Sequence, residues 1–296
     1  MYTDLLNPLP KTINIKGTLF QFDTPKIMGI INLSPDSFYE NDAEKKETAL
    51  LKKIESFIAN GADIIDIGGS STKPNSSLPS AKEELDRVIE PLKLIRKEFP
   101  NLIISIDTVR NEVAQQTLEI GADIINDVSG GYDNSKMLEL VAKFKCPYIL
   151  THNIEGGINK NVMDDSKNTI KELIQFFSKK ISELNAKGIY DIIIDPGFGF
   201  GKTLEQNYQL LRELNAFQLL GRPILTGVSR KSMIYKALEI SSEESLNGTT
   251  ALHMAALLGG TQILRVHDVA EAAETINLFN RLMPDGVQHL LQPWER

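Results

Sequence analysis

The sequence predicts an α/β protein, a (β/α)8 TIM barrel with an N-terminal β-hairpin that closes the bottom of the barrel. Three observations support this fold. Eight short apolar runs bounded by glycines recur along the chain, a pattern typical of parallel strands buried on both faces. Each run is followed by a segment of helical length with an amphipathic pattern. Each run also stops at a small polar or charged residue, as barrel strands do at the end that carries functional groups.

The eight predicted strands all end beside a polar group. In chain order they are KIMGII up to Asn32, DIIDIGG before Ser70, LIISI before Asp107, DII before Asn126, YIL before Thr151 and His152, DIII before Asp195, ILTGV before Ser229, Arg230 and Lys231, and ILRV, which carries Arg265 and stops at His267. Because the carboxyl ends of barrel strands converge on one opening, these side chains are expected to share a central pocket.

Amphipathic segments separate the strands. They cover residues 43–60, 80–98, 109–120, 135–145, 166–187, 204–220, 243–258 and 269–282. Gly61, Gly121 and Gly188 stand where a left-handed residue ends a helix. The segments GADIID (61–66) and GADIIN (121–126) use the same helix-to-strand joint twice, which agrees with repeated β-then-α units.

The residues before the barrel have a different pattern. The stretch TINIKGTLFQFD alternates apolar and polar residues around Gly17, which predicts a β-hairpin at about residues 12–24. We expect this hairpin to plug the N-terminal end of a barrel that spans about residues 26–282. No linker divides the chain, so a single domain over residues 1–296 is predicted.

Composition narrows the class of protein. The 296 residues, 42% hydrophobic with a net charge of −7, suit one barrel and disfavour nucleic-acid binding. No apolar stretch is long enough to cross a membrane, and the N-terminal sequence lacks the features of a secretory signal. The single cysteine, Cys146, cannot form an internal disulfide and precedes a strand, at the wrong end of the barrel for chemistry. A cytoplasmic location is predicted.

Four strand-end residues form a mixed set of hydrogen-bonding groups. They are Asp107, Asn126, Asp195 and Lys231. Ionised carboxylates accept from N–H groups, and an ammonium donates to a carbonyl or ring nitrogen. This set suits a flat heterocycle with several ring nitrogens and an exocyclic amine. The alternative is that each aspartate caps a helix, as Asp107 could for the helix that starts near Val109.

A second group follows the first and last strands, which are neighbours where the barrel closes. It comprises Asn32, Arg265 and His267. Arg and His side chains can hold phosphate oxygens, and an Asn carbonyl oxygen can bind Mg²⁺. An anionic leaving group is therefore predicted here. The alternative for His267 is a cap-like role at the last helix. His152 could simply support the pocket wall.

The segment DPGFGFGK (195–202) follows the sixth strand directly. It is neither a Walker A sequence nor a dinucleotide-binding fingerprint, because the required glycine spacing and Lys-Ser/Thr pair are absent. Its Pro-Gly turn instead aims Phe198 and Phe200, at least one of which could cover an aromatic ligand.

Seven segments together resemble dihydropteroate synthase over nearly the whole chain. They are INLSPDSF (31–38), DIIDIGGSSTKP (63–74), SIDT (105–108), INDVSGG (125–131), DPGFGFGK (195–202), GVSRKSMI (227–234) and RVHDV (265–269). The resemblance implies a homodimeric (β/α)8 enzyme of folate biosynthesis. It implies that 6-hydroxymethyl-7,8-dihydropterin diphosphate and 4-aminobenzoate are joined to give 7,8-dihydropteroate and diphosphate, with Mg²⁺ as cofactor.

The resemblance also implies a role for each matched residue. Catalytic contributions are implied for Asp107, Lys231, Arg265 and His267, and Mg²⁺ binding for Asn32 and Asp36. Substrate contacts are implied for Thr72, Lys73, Asp107, Asn126, Thr151, Asp195, Phe200, Gly227, Lys231, Ser232, Arg265 and His267. Arg265 is implied to lie along the pterin face and reach the diphosphate. The loops at residues 34–42 and 70–78 are implied to be lids over the substrates.

Three positions depart from the pattern that this family usually shows. Ser70 replaces a carboxylate, Lys73 replaces an arginine, and Thr151 stands where many members have methionine. Lysine keeps the positive charge but loses the planar fork of arginine. Two alternatives are open. One is a pterin-binding methyltransferase domain, a different reaction on the same barrel, although the SRK and RVHD segments favour the synthase. The other is a catalytically silent pterin-binding protein, which the loop departures permit.

Overall fold

The chain folds into a small hairpin followed by a barrel of eight parallel strands. The computed structural model describes residues 12–33, 43–69, 79–131, 135–154 and 169–283. The strands are β1 (Thr12–Ile15), β2 (Thr18–Gln21), β3 (Lys26–Asn32), β4 (Ile64–Gly68), β5 (Ile103–Asp107), β6 (Ile124–Asp127), β7 (Tyr148–Thr151), β8 (Ile192–Asp195), β9 (Leu225–Thr226) and β10 (Ile263–Val266). Neighbours in the sheet follow the order β8-β7-β6-β5-β4-β3-β10-β9. A parallel bridge between Ile194 and Ile224 closes the ring. The predicted fold class is confirmed.

Helices alternate with the barrel strands. They are α1 (Ala43–Ala59), α2 (Ala81–Glu98), α3 (Asn111–Ile120), α4 (Ser135–Phe144), α5 (Thr169–Ala186), α6 (Leu204–Arg212), α7 (Ser232–Leu238), α8 (Leu246–Leu258) and α9 (Val269–Leu282). Within the described part of the chain, no helix is both long and apolar enough to cross a membrane.

One helix prediction was wrong in detail, and one short helix was not predicted. The predicted helix over residues 204–220 is divided, because Glu213 leaves helical geometry and a 3-10 helix follows at Leu214–Leu220. The short helix α7 was not predicted at all. Its seven residues span only two turns, too few to show an apolar period, although Met233 and Ile234 are buried.

Helix ends follow the expected chemistry. Gly121 has a φ of 118° and its N–H donates to the carbonyl oxygens of Thr117 and Leu118, which ends α3. The N-termini of α2 and α6 carry capping boxes formed by Ser80 with Glu83 and by Thr203 with Gln206. The end of α3 at Gly121 lets the chain turn into β6, and the two capping boxes fix where α2 and α6 begin.

The bottom of the barrel interior is apolar and is closed by the hairpin. Ile13, Ile15 and Phe22 pack in one buried cluster with inward-facing strand residues. Those residues are Met28, Ile64, Ile124, Ile149, Ile193, Leu225 and Ile263. The backbone N–H of Asn14 also donates to Asp191 Oδ1 over 2.8 Å. The hairpin therefore closes the N-terminal end, as predicted.

The barrel interior turns polar towards the carboxyl ends of the strands, as at Asp66, Asn126 and Asp195. The register places Asn32, Gly68 and Asp107 side by side on β3, β4 and β5, and pairs Asp107 with Asn126 on β6. The alternate residues of these strands, such as Ile67 and Ile106, face the helices in the larger hydrophobic cluster. The inward polar residues are thus confined to the carboxyl end of the barrel.

Candidate active site

One guanidinium joins two carboxylates at the centre of the polar layer. Arg265 donates from Nε to Asp66 Oδ2 and from Nη2 to Asp107 Oδ2, each over 2.6 Å. Burial raises the pKa of Asp107 to about 7, with Arg265 opposing and the Asp66 charge reinforcing the shift. Burial alone would lower the pKa of Arg265, but the two carboxylates outweigh it and raise that pKa. Arg265 therefore stays charged.

Several buried polar atoms around this ion pair lack a partner. Asn126 donates from Nδ2 to Asp66 Oδ2 over 3.0 Å. Among the described residues no hydrogen-bond partner exists for Asp66 Oδ1, Asn126 Oδ1, Ser105 Oγ or Thr151 Oγ1. Buried polar groups in native proteins are normally paired, and leaving one unpaired costs about 1–3 kcal/mol. Such atoms can be satisfied by a polar ligand or by ordered water.

Asp195 and Lys231 form the other side of the pocket. Asp195 Oδ1 accepts from the N–H of Gly197 over 2.8 Å. Lys231 Nζ donates to the carbonyl oxygen of Phe198 and lies 4.6 Å from the centre of the Phe200 ring. Burial lowers the pKa of Lys231 to about 8, with the Asp195 charge opposing the shift. The amine therefore remains mainly protonated at neutral pH.

The segment at residues 195–202 is a rigid turn. Phe198 is fully buried in the larger hydrophobic cluster, between the barrel and the helices. Of the two phenylalanines, only Phe200 is partly exposed and placed to cover a ligand. Lys202 donates from Nζ to the carbonyl oxygens of Gly197 and His152, over 2.6 and 3.2 Å. These bonds tie the turn to the end of β7.

His267 lies at the rim, next to Ser229. Ser229 Oγ is 3.1 Å from His267 Nδ1 and also accepts from the His267 N–H over 3.2 Å. Asp268 is the N-cap residue of α9, and its side chain makes no capping bond. The surrounding protein and then the Arg265 charge lower the pKa of His267, which leaves a neutral ring at pH 7. A cap-like role for His267 has no support in these contacts.

A salt bridge joins the two loops that carry Lys231 and His267. Arg230 donates from Nε to Asp268 Oδ2 and from Nη2 to Asp268 Oδ1, both over 2.8 Å. Its Nη1 also donates to the carbonyl oxygen of Glu243 over 2.7 Å. The bidentate contact fixes the ends of β9 and β10 relative to each other.

Two glycines keep the pocket open. A Cβ built on Gly68 would lie 3.7 Å from Asn32 Oδ1 and 3.5 Å from Asp107 Cβ. One built on Gly227 would lie 3.9 Å from Arg265 Cβ and 4.0 Å from Lys231 Nζ. Both positions therefore face the strand-end residues directly, and any side chain there would project into the pocket.

The residues at the rim fit a magnesium ion only in company with a phosphate. No group of three His, Cys, Asp or Glu side chains that could hold a metal occurs in the described ranges. Asn32 Oδ1 offers one hard oxygen donor, on the strand-end layer that also contains Gly68 and Asp107. Mg²⁺ commonly takes one or two protein ligands and completes its shell with substrate phosphates and water. Asn32 fits that arrangement.

Some predicted residues are brought together and others cannot be placed. Asp107, Asn126, Asp195, Lys231 and Arg265 share one pocket, with Thr151, Gly227 and Phe200 around it. Ser232 begins α7 immediately after Lys231. The predictions for Asp36, Thr72 and Lys73, and the departure at Ser70, lie outside the described residues.

Three further titratable residues, His152, His253 and Cys146, are structural. The ring of His152 is buried and packs edge-on against Phe176 at a centroid distance of 4.9 Å. His253 is buried within α8. Cys146 is buried before β7, and burial raises the pKa of its thiol to about 12, which makes it unreactive.

Sequence reasoning missed Asp66. It lies inside an apolar run rather than at a strand end, so the search for polar strand ends passed over it. The internal repeat contained the signal, because GADIID and GADIIN place Asp66 at the position of Asn126. In the structure these two equivalent side chains are hydrogen-bonded to each other.

The fold and the polar pocket define a pterin-binding barrel enzyme. A family profile described as "Pterin binding enzyme" matches residues 28–267. A dihydropteroate synthase of Clostridium beijerinckii is 41% identical over 248 residues, covering 83% of this chain and 89% of that protein. One of Synechocystis sp. is 39% identical, covering 92% and 96%. The solved dihydropteroate synthase of Xanthomonas albilineans with 4-aminobenzoic acid has a TM-score of 0.84 at 31% identity, covering 93% and 99%.

The chain belongs to the dihydropteroate synthase family. It is accordingly a transferase of folate biosynthesis. The reaction joins 6-hydroxymethyl-7,8-dihydropterin diphosphate to 4-aminobenzoate and releases diphosphate. This membership removes the methyltransferase alternative.

Proposed function

We propose that the polar layer at the carboxyl end of the barrel holds the pterin ring for this reaction. The observation that carries the proposal is the set of buried polar atoms, on Asp66, Asn126, Ser105 and Thr151, that find no partner in the part of the chain that the structure describes. The carboxylates of Asp107 and Asp195 would accept from ring and exocyclic N–H groups, and Lys231 would donate to an acceptor of the ring. The apolar layer below sets the depth of the pocket.

The charge of the pocket suits the reaction. The reacting CH₂ group loses diphosphate, so positive charge develops on the pterin as the carbon–oxygen bond breaks. When Asp66 and Asp107 are both ionised, the single guanidinium of Arg265 leaves one net negative charge in the cluster. A fixed negative charge in a water-poor site stabilises the developing cation. The aniline nitrogen of 4-aminobenzoate then bonds to the CH₂ carbon and releases its proton.

The leaving diphosphate belongs at the rim. His267 and Asn32 follow neighbouring strands β10 and β3 and would bind its oxygens. Mg²⁺, when bound through Asn32 and Asp36, would neutralise part of the charge on the departing group. In the structure the guanidinium of Arg265 is engaged with Asp66 and Asp107, so its contact with diphosphate stays a prediction.

The aminobenzoate side is proposed to lie between Phe200 and the start of α7. Phe200 carries the Lys231 ammonium on its ring face, and Ser232 opens the helix beside it. Thr72 and Lys73 are proposed to complete this side. Lys73→Ala would then raise the KM for 4-aminobenzoate more than it changes pterin binding.

A homodimer in the cytoplasm is part of the proposal. Leu258, Leu278 and Leu282 are exposed on α8 and α9, which supports a partner surface there. The single cysteine, which cannot form an internal disulfide, supports the location. Light scattering on purified protein, which should give twice the mass of one chain, tests the dimer.

One assay tests the activity. Diphosphate release is measured with Mg²⁺ and pterin diphosphate, with and without 4-aminobenzoate, and 7,8-dihydropteroate is quantified. Release that depends on 4-aminobenzoate, with matching product, is expected. Pterin diphosphate binding without product would contradict the proposal and identify a catalytically silent binder.

A further inference from the structure

We propose that Asp66 is a positioning residue of the synthase, whose buried carboxylate fixes the orientations of Arg265 and Asn126 in the pterin pocket. The inference rests on the proposed function of the polar layer and extends it to a residue to which the family resemblance gave no role. Asp66 Oδ2 accepts from Arg265 Nε over 2.6 Å and from Asn126 Nδ2 over 3.0 Å.

The partners of Asp66 separate it from the structural aspartates of the barrel. Asp63, three residues earlier, accepts the backbone N–H of Ile27 over 2.8 Å. Asp123, its counterpart in the repeat, accepts the backbone N–H of Ile104 over 2.8 Å. These two acids join neighbouring strands at the bottom of the barrel. Both hydrogen bonds of Asp66 instead go to side chains of the pocket.

Asp66 determines which atom of Asn126 faces the ligand. An ionised carboxylate can only accept, so the nitrogen of the Asn126 amide must turn towards Asp66. The amide oxygen, which is buried and has no partner among the described residues, then points away from Asp66 and is free to accept a hydrogen bond from a bound pterin. Without Asp66 the two amide orientations become similar in energy, and the pocket loses a fixed acceptor.

Asp66 also holds Arg265 by its Nε side. Asp107 contacts the same guanidinium only at Nη2. A planar guanidinium held at both Nε and Nη2 cannot rotate about its last bonds, whereas one held at Nη2 alone can. Burying a carboxylate is costly, and Asp66 is 0% exposed. That cost is explained if the carboxylate orients the groups that bind substrate.

The test compares Asp66→Asn with Asp63→Asn as the matched control. For Asp66→Asn we expect the Kd for pterin diphosphate, by calorimetry, to rise about 10- to 100-fold, since a hydrogen bond to a charged group is lost at two site residues. We expect the midpoint of urea unfolding to stay near the wild-type value. Asp63→Asn should show the reverse, a lower midpoint with an unchanged Kd.

A swapped variant tests the orientation directly. The double variant Asp66→Asn, Asn126→Asp keeps the total charge and reverses donor and acceptor between the two positions. An oxygen again faces the pocket, so the Kd should fall at least about fivefold below that of Asp66→Asn. An unchanged Kd in Asp66→Asn, or no recovery in the swapped variant, overturns the proposal. If Asp66→Asn is too unstable to purify, Asp66→Ser is measured in its place with the same expectations.

The experiment separates this inference from the activity itself. A wild-type protein that binds pterin diphosphate but makes no product refutes the activity proposal, and the Kd comparison still decides the role of Asp66. A wild-type protein that makes product, with unchanged Kd and turnover in Asp66→Asn, refutes the positioning role alone.

Discussion

The two ends of the barrel interior are built from the same strands and differ in one respect. At the bottom, inward side chains such as Ile64 and Ile124 pack against the hairpin and leave no polar atom to satisfy. Two residues further on the same strands, Asp66 and Asn126 each carry a buried oxygen that has no partner among the described residues. The bottom is therefore satisfied within the chain, and the top is the end at which we propose that the pterin binds.

The largest effect is expected from a change at the bottom. Ile124→Ala removes a fully buried side chain between the barrel and the hairpin. We expect it to lower the free energy of unfolding by about 2–5 kcal/mol, since a cavity remains where the side chain was. Urea unfolding measures this loss. The KM values of the folded variant should match wild type; a large rise in KM would show that the two ends are not separate.

The next effect is expected at the top. Asp107→Asn keeps the size of the side chain and removes a charge beside the developing cation. We expect kcat to fall roughly 10²- to 10³-fold, as for loss of one preorganised electrostatic group. Stability should be unchanged or greater, because the burial cost of a carboxylate is also removed. Near-normal turnover would refute the role given to Asp107.

The pH dependence of kcat/KM reports on the top of the barrel, because Asp107 and Lys231 titrate there and the bottom layer is apolar. The pKa of Asp107 is about 7 and that of Lys231 about 8. The ionised carboxylate and the protonated amine are the active forms, so kcat/KM should rise with pH through about 7 and fall above about 8. The acidic limb is assigned to Asp107.

Stability should move in the opposite direction over the acidic range. The folded pKa of Asp107 is raised above its unfolded value of about 3.9, so the folded protein binds more protons between pH 4 and 7. The contribution of Asp107 to stability is therefore lost as pH rises through that window. Urea unfolding of wild type and Asp107→Asn at pH 5 and pH 7 measures the difference. In the pH profile of kcat/KM, an acidic limb that persists unchanged in Asp107→Asn would exclude Asp107 as its source.

The smallest effect is expected from replacing one polar side chain of the top layer, Thr151, by an apolar one. Thr151 is fully buried, and its Oγ1 has no partner among the described residues. Thr151→Val is nearly isosteric and removes an unsatisfied hydroxyl, so we expect a gain of about 1 kcal/mol in the free energy of unfolding. Thermal unfolding without ligand measures it. A loss of stability would mean that the hydroxyl is already satisfied.

The sequence predicted the barrel well because each strand end carries its own signal. Asp107, Asn126, Asp195 and Lys231 were found by position alone, since the carboxyl ends of parallel strands share one rim. The short helix α7 escaped because two turns show no periodicity. The division of the helix predicted over residues 204–220 escaped because its apolar spacing continues across Glu213.

The apolar strand pattern did not show which residues of each strand point into the barrel and which point towards the helices. In strands buried on both faces the alternation of inner and outer residues is hidden, since both sets are apolar at the bottom. Asp66 was therefore passed over as part of a buried strand. Its contact with Arg265 joins residues 199 positions apart in the sequence, and only the closed barrel brings them together.

The central claim is that the top layer binds the pterin and the bottom layer does not, and β6 allows both to be tested on one strand. Calorimetric titration with pterin diphosphate is performed on Asn126→Leu and Ile124→Val, two inward positions separated by one residue. We expect Asn126→Leu to weaken binding by roughly 10²-fold, since a hydrogen-bonding amide is replaced by an apolar group of similar size. For Ile124→Val we expect a Kd within about twofold of wild type, although that variant is less stable by about 1 kcal/mol. Equal losses of affinity in the two variants, or unchanged affinity in Asn126→Leu, would show that the top layer does not bind the pterin.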